Sequence, residues 1–145
     1  MLLLSRYFMR EMILPFLFSL LMITFLLFIN FLLRAVDRFL GKGIEVLTIL
    51  EYLFLNLAWI LALSVPMAVL LSTLMTFGRL SEDNEINAMR ASGISFITII
   101  RAPLLFGITV ALLLITFNNF ILPDMNFHAR LLSGDIYKKL SLIHI

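Results

Sequence analysis

The sequence predicts an all-α membrane protein, and three observations carry that expectation. Hydrophobic residues make up 62% of the 145-residue chain and charged residues 14%, with a mean hydropathy of +1.09, far too apolar for a soluble domain of this size. Three uncharged runs, residues 12–33, 52–78 and 102–123, are each long enough to cross a hydrocarbon layer of roughly 30 Å, which takes about 20 apolar residues in a helix. Between the second and third lies a long polar interval, residues 77–95, where a partner in water could meet the embedded part. The formal net charge of +2 comes from scattered residues without a run of like charge, so it argues nothing about nucleic acid. The absence of cysteine excludes disulfides, thiolate catalysis and cysteine metal sites.

The first span is expected at about residues 12–34. Its apolar region is longer than that of a signal peptide and carries no small-x-small cleavage site. Pro15 is expected in its first turn, where a missing N–H costs little. Asn30, near the far end, reads as a residue that caps or bonds a neighbouring helix. Arg34, Asp37, Arg38, Lys42, Glu45 and Glu51 make the next segment polar, and Gly41 and Gly43 interrupt it before Ile44, Leu47 and Leu50 return at helical spacing. That pattern predicts a short interfacial helix. For Arg34 and Arg38, snorkelling to lipid headgroups is a sufficient explanation.

The second span is expected at about residues 52–78. Ser64, Ala68, Ser72 and Thr76 recur every four residues, a stripe of small side chains that lets another helix approach closely and reads as a packing face. Pro66 removes a backbone bond mid-span and predicts a kink. Trp59 sits too far inside for an interfacial anchor and reads as packing on a helix or on lipid.

After it the spacing predicts a short helix over residues 82–91. Ser81 is the expected N-cap, with Glu82, Asp83 and Glu85 near the positive end of the helix dipole and Gly93 as the stop. Glu85 and Arg90 are five apart, so neither has an ion partner at helical spacing within this helix. The third span is expected at about residues 102–123, with Pro103 in its first turn and Pro123 marking its exit. Asn118 and Asn119 near the exit are expected to bond neighbouring backbone. His128 has no second histidine or carboxylate cluster at ligand spacing and reads as a bystander.

The segment F-G-R-L-S-E-D-N-E-I-N-A-M-R-A-S-G-I-S, with its approach S-V-P-M-A-V-L-L-S-T-L-M-T, resembles the lipopolysaccharide export permease family of LptF/LptG type over most of residues 5–130. The resemblance implies that residues 82–91 are a cytoplasmic coupling helix that docks into a groove of an ABC ATPase dimer. Glu85 would be the acidic coupling residue and Ile86, Met89 and Arg90 the groove contacts. Arg34-Ala35-Val36-Asp37 matches the family's basic-x-V-D pattern at the lateral gate, which implies that Arg34 and Arg38 meet lipid A phosphates. An arginine fork suits phosphate because it donates two parallel charge-assisted bonds. The implied partners are a homologous permease subunit in a heterodimer, periplasmic lipopolysaccharide-bridge proteins and lipopolysaccharide itself. No catalytic residue, metal or cofactor is expected, and Gly41-Lys42-Gly43 does not make a Walker loop, so ATP hydrolysis would belong to the partner.

By the same likeness, residues 1–125 are the N-terminal transmembrane half. Residues 126–145 would begin a periplasmic segment, truncated before a β-rich domain. Residues 140–145 spell what one frame of a transposon-end adapter encodes, which predicts a non-native tail. Charge counting leaves the orientation undecided at five basic residues against six, and the N-terminus is placed inside on the resemblance. Two other functions stand beside export: a membrane assembly or scaffold subunit, for which the small stripe would be the whole function, and a lipid enzyme within the membrane. The spans hold no ionisable residue to support such chemistry.

Overall fold

A computed structural model describes residues 2–39 and 46–143. They form five helices, and no strand occurs among the described residues: α1 (Leu2–Phe39), α2 (Val46–Glu82), α3 (Glu85–Ala91), α4 (Phe96–Phe120) and α5 (Leu122–Ile143). Three stretches are long and apolar enough to cross a membrane, Leu4–Asp37, Val46–Glu82 and Phe96–Phe120.

The helices outrun the apolar runs that predict them. At 1.5 Å per residue the 38 residues of α1 reach about 57 Å, well beyond a hydrocarbon layer of roughly 30 Å. A backbone ladder needs no apolar side chains to continue. It stops only where a breaker or a competing cap intervenes. Pro15 and Pro103 therefore lie inside α1 and α4 instead of in their first turns, and each removes the bond its N–H would have made to the carbonyl four residues earlier. The interfacial helix expected after the first span is corrected likewise: residues 46–51 are the continuous start of α2. Residues 40–45, with Gly41, Lys42 and Gly43, lie outside the described residues, as does the side chain of Arg38. Pro66 falls inside α2, and the helix runs through it.

The chain divides into two compact units. Unit 1 comprises Met1–Ile23 and Val65–Leu114, bringing together the first half of α1, the second half of α2, α3 and most of α4. Phe8, Leu80, Ile99 and Ala102 are buried at its core, and Leu4, Phe77, Ile86, Met89 and Ile94 pack against them. Ala68, Ser72 and Thr76 are buried in the same unit. The Ser72 hydroxyl donates to the Val69 carbonyl at 3.0 Å, which satisfies it inside its own helix and leaves the small face smooth for close approach. The Thr76 Oγ1 has no hydrogen-bond partner. Phe16 meets Phe106 edge to face at 5.3 Å, a favoured aromatic geometry.

Unit 2 comprises Thr24–Ser64 and Ile115–Ile145. Ala35, Leu53 and Ile136 form its core, with Phe28, Phe31, Leu32, Ile49, Tyr52 and Leu132 against them. Phe31 and Tyr52 stack at 5.8 Å. The Thr24 hydroxyl donates to Ser64 Oγ at 3.0 Å, and Ser64 donates onward to the Ile60 carbonyl at 2.6 Å. Pro123 is the second residue of α5, in its first turn, and has no N–H with which to extend the ladder of α4, which ends at Phe120. The positions of α5 that turn inward, Ala129, Leu132 and Ile136, follow helical periodicity. Asn118 corrects an expectation, because its Oδ1 is buried without a hydrogen-bond partner. Trp59 is half exposed on α2, and Asn30 is exposed on α1.

Candidate functional site

The candidate site is the polar end of unit 1, where α2 stops, α3 turns and α4 begins. α2 continues three residues past Arg79 because nothing in Leu80-Ser81-Glu82 breaks it. Ser81 is thus an interior residue of α2 and not the cap of α3, and its carbonyl accepts the Asn84 N–H at 3.1 Å. The break comes at Asn84, whose φ of 57° is left-handed, a conformation that asparagine tolerates better than most residues. Its carbonyl accepts the first helical bond of α3 from the Ala88 N–H at 2.9 Å. α3 is therefore shorter than expected, Glu85–Ala91, with Glu85 as the acid in its first turn and Arg90 in its last. Both charges complement the helix dipole.

The exit of α3 is closed by a Schellman motif. Gly93 has a φ of 85°, where a side chain would be strained. The Gly93 N–H donates to the Arg90 carbonyl at 3.0 Å and the Ile94 N–H reaches back to the Met89 carbonyl at 3.1 Å, the paired bonds that define this stop. Ile94 and Met89 both pack on the same core, supplying the apolar contact that accompanies the motif. The Ser92 hydroxyl donates to the Met89 carbonyl at 2.7 Å. Beside this turn an open cavity of about 340 Å³ is lined by Leu4, Ser92, Gly93, Ile94, Ser95 and Thr98.

The four residues singled out on this helix divide into two pairs. Ile86 and Met89 are half-buried and hold α3 to the core formed by Phe8, Leu80, Ile99 and Ala102. Arg90 is exposed, together with Asn87, Ala88 and Ala91. Glu85 is half-buried, and its Oε2 accepts a hydrogen bond from the Tyr7 hydroxyl at 2.9 Å. One turn further along α1, Glu11 forms an ion pair with Arg79 at the end of α2. Sequence reasoning missed both contacts. Tyr7 and Glu85 are 78 residues apart, and no local spacing signals such a pair.

Arg34 lies exposed on the part of α1 that belongs to unit 2, near the exposed Asp37. Among the described residues no group of three histidine or carboxylate side chains could hold a metal ion. His128 is exposed, its ring set edge to face against Phe127 at 6.0 Å. The polar end presents a short helix with an accessible outer face, seated on three longer ones.

A family model described as lipopolysaccharide export system permease LptF/LptG matches residues 6–142. No curated protein matches the chain.

Proposed function

Because the chain belongs to the lipopolysaccharide export system permease LptF/LptG family, we propose that it acts as a permease subunit that extracts lipopolysaccharide from the inner membrane for transport to the outer membrane. Its family is a transport family, and three helices of membrane-crossing length make it a multi-pass membrane protein. The observation that carries the coupling role is the placement of α3: a polar helix bounded by two spans, seated by Ile86 and Met89 with Asn87 and Arg90 outward.

In this reading the N-terminus and α3 are cytoplasmic, and a separate ABC ATPase dimer receives α3 in a groove. Glu85 and Arg90 present opposite charges to the groove, while Ile86 and Met89 offer the edges that the core leaves uncovered. Closure of the ATPase on ATP pulls α3, and the attached α2 and α4 carry the movement into the membrane. A homologous permease subunit completes the lateral opening, Arg34 and Arg38 meet lipid phosphates there, and periplasmic bridge proteins take the lipid onward.

The test uses the full-length protein co-expressed with its ATPase. Arg90→Glu reverses an exposed charge without touching the core, so ATPase captured with the permease should fall about tenfold, the effect of roughly 1.4 kcal/mol. Normal capture together with normal lipid export in that variant would overturn the assignment of α3 as the coupling element. A chain that assembles with other membrane subunits but binds no ATPase would point to the scaffold role instead.

A further inference from the structure

We propose that the first turns of α1 belong to the moving element: Tyr7 is a positioning residue that holds the Glu85 carboxylate, and residues 4–12 travel with α3 as one body. The proposal rests on two stripes that run side by side along this part of α1, each at a spacing of four residues, at which side chains share a helix face.

The apolar stripe is Leu4, Phe8 and Met12. Phe8 and Met12 have no exposed surface, and Phe8 is surrounded by Leu80 of α2 and by Ile99 and Ala102 of α4, with Ile86 and Met89 of α3 against the same cluster. The polar stripe is Tyr7 and Glu11. Tyr7 donates to Glu85 on α3, and Glu11 pairs with Arg79 on α2. The aromatic packing supplies adhesion, and the two directional bonds fix the register of α1 against α2 and α3. A neutral donor on a carboxylate is stronger than a bond between neutral groups.

The consequence departs from a scheme in which α3 acts only through the helices joined to it by peptide bonds. Force applied to α3 reaches α1 directly, across space, so the first span shifts with the second and third. Only this mechanical half depends on the transport reading given above. The contact itself does not.

The experiment has two arms, both on the full-length permease in lipid nanodiscs. In the first, without ATPase, amide hydrogen exchange is followed across residues 85–94. Tyr7→Phe keeps the ring and removes the hydroxyl, and exchange should rise about fivefold, as expected for losing one partly exposed bond to a charged group. Glu85→Gln should raise it similarly, and the double variant no further, since both cut the same bond. Tyr137→Phe on α5 should leave these amides unchanged. Unaltered exchange in Tyr7→Phe, or effects that add in the double variant, would overturn the contact.

In the second arm the ATPase is present. Tyr7→Phe should bind it normally while lipid released per ATP falls about fivefold, within the range of ordinary coupling energies. A raised exchange rate with lipid per ATP unchanged would overturn the mechanical half. Should the unsubstituted permease bind no ATPase and release no lipid, the transport reading fails while the first arm stands on its own result.

Discussion

The two units of the chain hold their helices together by different means. Unit 2 relies on aliphatic and aromatic contact, Ala35, Leu53 and Ile136 with the Phe31–Tyr52 stack, supplemented by the hydroxyl bond from Thr24 to Ser64. Unit 1 has a comparable apolar core but adds the Tyr7 hydroxyl donating to the Glu85 carboxylate and the Glu11–Arg79 ion pair, each joining different helices through at least one charged group. Apolar contact resists separation yet tolerates sliding, because it is non-directional. Directional bonds pin a register. Among the described residues these two lie at the polar end that holds α3, a helix too short to persist alone and one that, in the proposed function, receives the load.

The sharpest way to break this comparison is to empty each core in turn. Phe8→Ala should destabilise by about 3 kcal/mol or more, lowering the thermal midpoint and releasing α3 into faster amide exchange. Leu53→Ala in unit 2 should destabilise by about 2–3 kcal/mol while leaving α3 exchange as it was. If Leu53→Ala loosens α3 equally, the units are not distinct in the way described. Next in size is Gly93→Val, which forces a β-branched residue into the left-handed region. A cost of about 2 kcal/mol is expected, and Gly93→Asn should recover much of it.

Smaller effects sharpen the picture. Arg79→Gln removes an ion pair whose partners are 52% and 27% exposed, so its worth is about 0.5 kcal/mol and should fade as salt is raised. Thr76→Val should change stability by less than about 1 kcal/mol, in the favourable direction, because it deletes a buried hydroxyl that has no partner. A clear loss of stability in thermal melts of that variant would mean the hydroxyl is engaged.

What could be read from the sequence follows the range of the signal. Three spans were legible because an uncharged run is a property of consecutive residues, and the recurrence of Ser64, Ala68, Ser72 and Thr76, all buried, is a local period. Helix ends were not. Pro15 and Pro103 look like first-turn residues only if the helix begins where the apolar run begins, whereas α1 and α4 start 13 and 7 positions earlier, at Leu2 and Phe96. Ser81 looks like a cap, but a cap forms only where the preceding helix has ended, and that end was set by the left-handed Asn84. The family motif identified Glu85, Ile86, Met89 and Arg90 without revealing that Ile86 and Met89 pack inward or that Tyr7 holds Glu85. Those contacts join segments far apart in the chain, and only the folded arrangement brings them together.

The central claim, that α3 is reached from the cytoplasm by an ATPase, is tested most directly by thiol labelling. The chain has no cysteine, so Asn87→Cys on the exposed face of α3 provides a single reactive site. With a membrane-impermeant reagent it should label in inverted inner-membrane vesicles and stay unlabelled in intact spheroplasts, and added ATPase should protect it. Labelling from the periplasmic face of spheroplasts would contradict the account.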